Sequence, residues 1–160
     1  MIPATEPEGR RVTTTENPRA LVRAAIEALL RDDRQLLVND ASEQAIAHHL
    51  AVHLAVRFPG WHVDCEYNRN MEVVKRLSYA IDGTGPTEVH RVIPDVIVHR
   101  RNTTTNLVVL ELKKTTNPES DERDVRKLRA FRSELGYEEA GFYRLRAKTP
   151  NPQIEREVWI

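Results

Sequence analysis

The sequence is poor in cysteine and in long apolar runs, and both absences limit what the protein can be. Cys65 is the single cysteine, so no disulfide can form within the chain, and a lone thiol fits a reducing compartment. No apolar run approaches the roughly 20 residues that a membrane-spanning helix needs. The first residues, MIPATEPEGRRVTTTENP, include no apolar segment like that of a secretory signal. The sequence therefore predicts a cytoplasmic protein with no membrane partner.

The sequence also lacks an excess of charge and several catalytic signatures. Its 24 basic residues balance 24 acidic ones, so the total does not indicate a strongly basic nucleic-acid binder, although a local basic face can still exist. We find no motif for a nucleophilic serine or cysteine and no glycine-rich phosphate loop. His49 and His53 have a spacing that can bind zinc, but an HExxH pattern is missing. Solvated or partly buried histidines are the favoured interpretation.

The patterns that are present predict an α/β protein. Residues 1–16 are polar and predict a flexible tail, and residues 17–160 predict a single domain. Helices are expected at 17–31, 40–58 and 121–135, and strands at 61–67, twice within 91–114, at 140–145 and at 154–160. Segment 71–80 fits neither template. Because the helix at 121–135 is long enough to cross over to a parallel strand, we expect a mixed central β-sheet flanked by helices.

Charged residues interrupt the most apolar strand of the chain. Side chains alternate between the faces of a strand, which assigns Leu107, Val109, Glu111 and Lys113 to one face and Val108, Leu110 and Leu112 to the other. Both faces are apolar up to Glu111, as in a covered central strand. A carboxylate and an ammonium that continue a buried stripe are costly unless they are paired or bind a metal. This conflict between pattern and burial indicates a functional site.

Asp95 lies in the preceding strand, and with Glu111 it predicts an oxygen-ligand site for a hard cation such as Mg²⁺. A metal held there can activate a water and polarise a phosphoryl oxygen. Lys113 would add positive charge near the attacking water, and Glu43, on the preceding helix, would add a third carboxylate. Two other interpretations remain open. Glu43 also fits a capping box with Asp40, and the three strand residues also fit a structural ion-pair cluster.

The string Pro94-Asp95, followed 16 residues after Asp95 by Glu111-Leu112-Lys113, resembles the PD-(D/E)xK motif of the restriction-endonuclease-like phosphodiesterase superfamily. The order of helix, three strands, helix and strand is similar to the αβββαβ core of that family, here with an additional N-terminal helix. The resemblance covers roughly residues 42–145. It implies a Mg²⁺-dependent nuclease, with Mn²⁺ as a substitute, and a homodimer would fit the family. The implied catalytic residues are Asp95, Glu111, Lys113 and Glu43. The implied metal ligands are Asp95, Glu111, Glu43 and the backbone carbonyl of Leu112, and Glu66 and Lys127 match positions of accessory polar residues.

Two functional hypotheses follow from these residues. The first is a nuclease that hydrolyses phosphodiester bonds, with DNA as the expected partner. The second is an inactive nucleic-acid- or protein-binding module on the same fold, suggested by the neutral charge and the lack of a target-recognition domain. In either case the residues expected to contact phosphates are Arg91, Arg100, Arg101, Lys114, Arg126 and Lys127. The alternative for this set is a group of scattered, solvated charges.

Overall fold

The computed structural model describes residues 16–67, 69–70, 73–74, 76–79, 88–91 and 93–160, and between residues 69 and 91 it describes the backbone alone. The expected tail at 1–16 therefore lies outside the described residues apart from Glu16. The described helices are α1 (Pro18–Asp32), α2 (Arg34–Val38), α3 (Glu43–Arg57) and α4 (Asp121–Leu135). The strands are β1 (His62–Cys65), β2 (Arg69–Asn70), β3 (Val73–Val74), β4 (Arg76–Tyr79), β5 (Glu88–Arg91), β6 (Val96–His99), β7 (Asn106–Lys114), β8 (Glu139–Leu145) and β9 (Ile154–Trp159).

A five-stranded mixed sheet forms the centre of the molecule, in the order β1-β6-β7-β8-β9. Strand β7 pairs antiparallel with β6 and parallel with β8, and α4 makes the crossover between β7 and β8. The outer pairs, β1 with β6 and β8 with β9, are antiparallel. The expected α/β fold with a mixed sheet flanked by helices is confirmed.

Two hydrophobic cores cover the two faces of this sheet. One core joins α1 and α3 to one face and includes Ile26, Leu50, Val98 and Leu110. The other joins α4 to the opposite face, and it includes Ile97, Val109, Leu128, Phe131 and Phe142. Strand β7 therefore contributes to both cores, as expected of a covered central strand.

The helix ends follow from local polar side chains. The Asn17 carbonyl oxygen Oδ1 accepts from Arg19 N at 3.0 Å at the start of α1, and Ser120 Oγ accepts from Glu122 N at 3.2 Å at the start of α4. Gly136 ends α4 with φ 66°, a left-handed conformation that glycine adopts at little cost. The predicted limits of α1 and α4 are confirmed to within a residue.

The predicted start of α3 near Asp40 is wrong, and so is the capping box. Ser42 is the cap, because its Oγ accepts from Ala45 N at 3.1 Å, and the helix begins at Glu43. Asp40 has a left-handed φ of 54° and binds the Lys114 ammonium instead. The preceding segment was predicted as a connection, but it contains the short helix α2.

Three further sequence-based expectations change in detail. Leu107 packs in the core of the α1 and α3 face rather than beside Val109, because a β-bulge at the Val98–His99 step shifts the register of β7. Pro94 and Asp95 precede β6 and do not lie within it. The described parts of the ambiguous segment 71–80 are strands, since β3 pairs with β2 and β4 pairs with β5.

Within the described part of the chain, no helix has the length and apolar character to cross a bilayer.

Candidate active site

Three acidic residues fall in one row across neighbouring strands. The antiparallel register pairs Val96 with Leu110, so the next pair towards the end of the sheet is Asp95 and Glu111. On the other side of Asp95, the backbone N–H of Glu66 donates to the Asp95 carbonyl at 3.2 Å. Residues that lie opposite each other in this way present their side chains close together. The sheet therefore brings together the two carboxylates that the motif predicts.

Pro94 explains why the site lies where β6 begins. Continuing the register would place Pro94 opposite Leu112, and proline has no N–H to donate to the ladder. The missing N–H is the one that would bond the Leu112 carbonyl in the ladder, while the N–H of Leu112 donates to Asp95 Oδ2 at 2.7 Å. The Leu112 carbonyl faces the same edge of β7, because the N–H and C=O of one residue point to the same neighbour. The carboxylate of Asp95 thus accepts the Leu112 N–H in place of a backbone carbonyl. The carbonyl of Leu112 is directed towards the same edge of β7.

Burial dominates the electrostatics of the two carboxyl groups. Glu111 is 3% exposed, and burial, reinforced by the charge of Asp95, raises the pKa of its carboxyl well above the usual value. Burial also raises the pKa of Asp95, although the N–H of Leu112 and the charge of Lys127 act in the opposite direction. Carboxyl groups so close to each other resist being ionised together. A nearby cation would therefore stabilise the ionised forms of both carboxyl groups.

The cation that contacts this pair is Lys127 of α4. Its Nζ lies 2.8 Å from Glu111 Oε1 and donates to the Ile93 carbonyl at 3.0 Å. Burial opposes the charge of Lys127, but the neighbouring carboxylates, above all Glu111, outweigh burial and raise its pKa. Glu111 Oε1 has the ion pair but accepts no hydrogen bond of regular geometry. The same is true of Asp124 Oδ2, which has an ion pair with Lys113.

Lys113, which was expected to place positive charge near an attacking water, forms an ion pair with a carboxylate of α4. Its Nζ lies 2.6 Å from Asp124 Oδ2 and donates to the Ser120 carbonyl at 3.0 Å. The structure therefore joins Lys113 to α4. Asp124 was not identified from the sequence, although it precedes Lys127 by three residues. That spacing puts the two side chains on one face of a helix, so the sequence indicated that both face the same neighbour, although it did not indicate which residue each one contacts.

Glu43 lies at the start of α3, beside the loop that follows β7. Its Oε1 accepts from Asn117 Nδ2 at 2.8 Å and from Lys114 N at 3.3 Å. Its charge contributes to the raised pKa of Asp95, so the two carboxylates influence each other. Asn117 was not identified from the sequence as a partner of Glu43. An open cavity of about 350 Å³ adjoins Glu43, and its lining residues are Asp40, Glu43, Lys114, Thr116 and Asn117.

Glu66, the expected accessory residue, turns away from the other two acids. It has a left-handed φ of 50°, and its Oε2 accepts from Gln44 Nε2 of α3 at 3.0 Å. Its backbone therefore belongs to the acidic row, while its carboxylate contacts the helix that carries Glu43.

The basic residues expected to contact phosphates are spread over the molecule. Arg100 stacks on the Trp61 ring at 4.7 Å, and Arg101 pairs with Asp64. Both follow β6, at the end of this strand opposite to Asp95. The ammonium of Lys114 lies 2.7 Å from Asp40, and Arg126 lies 3.7 Å from Glu122 on its own helix. The side chain of Arg91 lies outside the described residues.

Two observations bear on whether the site suits a divalent metal. Among the residues that the structure describes, no three His, Cys, Asp or Glu side chains are grouped so that they could hold a metal ion. His49 and His53 both contact Asp33, at 3.3 and 2.7 Å. However, Asp95, Glu111 and the Leu112 carbonyl offer oxygen atoms alone, and the buried Glu111 Oε1 has an ion pair but no hydrogen bond of regular geometry. Such a set fits Mg²⁺, which is bound by one or two carboxylates and keeps several waters.

Comparisons of this chain with protein-family models, with curated proteins and with solved structures find no match.

Proposed function

We propose that this protein is a divalent-metal-dependent nuclease of the restriction-endonuclease-like type, with DNA as its substrate and Mg²⁺ as its metal. The observation that supports this most directly is the adjacent pair of acids formed by the partly buried Asp95 and the buried Glu111. The order α3, β1, β6, β7, α4 and β8 also agrees with the αβββαβ order that the motif implies. A purely structural ion-pair cluster does not account for two acids placed side by side, since like charges destabilise each other when buried.

In this proposal the residues of the site have three roles: metal ligands, positive charges near the phosphate, and groups that orient Lys113. Asp95, Glu111 and the Leu112 carbonyl would hold Mg²⁺, with Glu43 bound to it through water. A bound Mg²⁺ would polarise the phosphodiester and lower the pKa of an attacking water. Lys113 and Lys127 carry two ammonium groups on the α4 side of β7, where they offset the negative charge of the phosphate. Asp124 and the Ser120 carbonyl hold Lys113 in a fixed orientation.

The test is cleavage of single- and double-stranded DNA and RNA with Mg²⁺, with Mn²⁺ and with chelator. We expect metal-dependent cleavage of DNA that falls at least ~100-fold in Asp95→Asn and Glu111→Gln, the scale of losing a charge-stabilising group. The matched control is Glu138→Gln, an exposed carboxylate after α4 whose backbone N–H binds Asn106 at the other end of β7. Cleavage that survives both site substitutions would overturn the assignment.

An inactive binding module on the same fold is the second candidate. The observation that favours it is that Lys113, Lys127 and Glu43 all have protein partners. It predicts salt-dependent binding of nucleic acid without cleavage. Titration calorimetry separates the two, because the nuclease requires Mg²⁺ or Mn²⁺ binding that disappears in Glu111→Gln.

We also propose a cytoplasmic location and a homodimer. The single thiol of Cys65 supports the location, because a reducing compartment keeps such a cysteine free. The homodimer follows from the resemblance of the motif alone, and light scattering of the purified protein tests it.

A further inference from the structure

We propose that Lys127 is a built-in counter-ion that occupies the cation position against Glu111 until a divalent metal displaces it. The inference rests on the proposed metal site and adds a means of regulating it. In this arrangement metal binding is an exchange of one cation for another.

The first support is the position of the ammonium group. Lys127 reaches from α4 to Glu111 with side-chain exposures of 16% for the lysine and 4% for the glutamate. The ammonium itself lies 5.9 Å from the centroid of the Phe131 ring. An exposed lysine would gain little from such a contact, whereas this one is largely removed from solvent to reach one carboxylate oxygen.

The second support is the local balance of charge. Asp124 already pairs with Lys113, so Lys127 is the ammonium that remains for Asp95 and Glu111. One positive charge therefore faces two carboxyl groups that lie side by side at the end of the sheet. The site is therefore short of positive charge, and a divalent ion supplies one charge more than the lysine does.

The third support is steric. The ammonium lies 2.8 Å from Glu111 Oε1, and Mg²⁺ would require a distance of about 2.1 Å from the same oxygen. Two cations cannot share this oxygen closely in a buried place, because their repulsion is strong where water is excluded. A metal on Glu111 Oε1 therefore requires Lys127 to leave, and its long, flexible stem allows this.

Competition of this kind weakens the apparent affinity for metal. If the binding-competent state, with Lys127 withdrawn, is a minor one, the apparent dissociation constant rises in proportion. Removing the ammonium should then tighten metal binding. This expectation is opposite to that for a lysine that merely supports the site, because loss of support weakens binding.

Titration calorimetry with Mn²⁺ on the intact chain provides the first measurement. We expect Lys127→Met to bind Mn²⁺ about tenfold more tightly than the unchanged protein if the ammonium blocks the site about nine-tenths of the time. Arg129→Met, an exposed residue of the same helix, is the control for removal of one positive charge and should change the affinity little. Adding Glu111→Gln to Lys127→Met should abolish the gain.

The outcomes separate this inference from the nuclease proposal. Equal or weaker Mn²⁺ binding by Lys127→Met, with binding still dependent on Glu111, overturns the exchange but leaves the metal site standing. No Mn²⁺ binding by either protein overturns both.

A second measurement uses the unchanged protein, so it does not depend on how a variant folds. Lysine amines are labelled with an acylating reagent with and without Mg²⁺, and each lysine is followed by peptide mass spectrometry. We expect Mg²⁺ to increase labelling of Lys127 severalfold, while Lys148, which is already exposed, stays constant. If saturating Mg²⁺ leaves Lys127 as protected as before, the metal does not displace it and the inference is wrong.

Discussion

At the scale of single residues, the burial of Glu111 carries a large cost in desolvation free energy. It stands in the middle of a covered strand, where an apolar residue would pack without any loss of hydration. Its ionised form depends on Lys127, the only ammonium within ion-pair distance of it among the described residues. Buried ion pairs of this kind add little net stability compared with apolar side chains of the same size. Binding of a cation explains the presence of Glu111 better than folding does.

The raised pKa values of Glu111 and Asp95 predict that stability falls as the pH rises. In the unfolded chain these groups ionise near their ordinary values of 4.5 and 3.8, while the folded protein keeps protons bound at higher pH. Because the folded state then binds more protons, the free energy of unfolding decreases above about pH 4.5 until Glu111 has ionised. Urea unfolding across this pH range measures the slope, and Glu111→Gln should flatten it.

Two other acids have pKa shifts in the opposite direction, so they change stability in a different pH range. Asp64 and Asp121 have lowered pKa values, because ion pairs with arginines outweigh their burial. Their contribution to stability is present above pH 3.8 and is lost as the pH falls below that value. Glu138→Gln should keep the decrease at higher pH. A Glu111→Gln variant with an unchanged slope would contradict the prediction.

At the scale of elements, α4 and β7 are joined by two crossed ion pairs. Glu111 and Lys113 lie on one face of the strand, and Asp124 and Lys127 lie on one face of the helix. Each carboxylate meets the lysine of the other element. The two ion pairs require the observed rotation of α4 over the sheet, since a helix turned by one residue would carry both partners away.

The pair formed by Lys113 and Asp124 predicts strong coupling between its partners. Asp124→Leu leaves a buried ammonium unpaired and should cost about 3–5 kcal/mol, and Lys113→Met leaves a partly buried carboxylate unpaired and should cost somewhat less. The double variant should be far more stable than the sum of the two predicts, because neither charge remains. A double-mutant cycle from urea unfolding measures this coupling. Additive costs would show that the two side chains do not interact in solution.

The loop between β7 and α4 depends on one arginine of β8. Arg144 donates to the carbonyls of Lys114, Asn117 and Glu119 and also pairs with Asp121. This loop carries the amide of Asn117 that holds Glu43. A guanidinium with several donors in one plane can satisfy such a set, and a lysine cannot. Arg144 therefore orients Glu43 indirectly, through the loop.

Arg144→Lys should loosen this loop and lower stability. Losing two or three hydrogen bonds from a charged donor at about 1.5 kcal/mol each would cost roughly 3–4.5 kcal/mol. Thermal unfolding gives the change, and amide hydrogen exchange should show faster exchange in residues 114–120. Arg156→Lys is the matched control, because Arg156 pairs with Asp121 without contacting those carbonyls. Equal effects of the two substitutions would contradict the role of the loop.

At the scale of the whole molecule, the order of the elements could be predicted, while the partners of the site could not. Hydrophobic periodicity, the Ser120 cap and Gly136 each act over a few neighbouring residues, so the sequence displays them directly. The convergence of Asp95 and Glu111 also followed from their strands. The choice of Lys127 rather than Lys113 as the partner of Glu111 was not predictable. It depends on the rotation of α4, which the packing of Leu128 and Phe131 determines.

A bound metal should stabilise the whole fold, because the two acids lie where β1, β6 and β7 meet and are next to α4. A ligand that binds the folded state alone adds about 2.7 kcal/mol to the free energy of unfolding at a hundred times its dissociation constant. We therefore expect Mg²⁺ or Mn²⁺ to raise the midpoint of thermal unfolding in a concentration-dependent way, and chelator to reverse the shift. Glu111→Gln should remove this response, and Glu138→Gln should keep it. An equal shift in Glu111→Gln would mean that the metal binds elsewhere, whereas no shift in the unchanged protein would favour the inactive binding module.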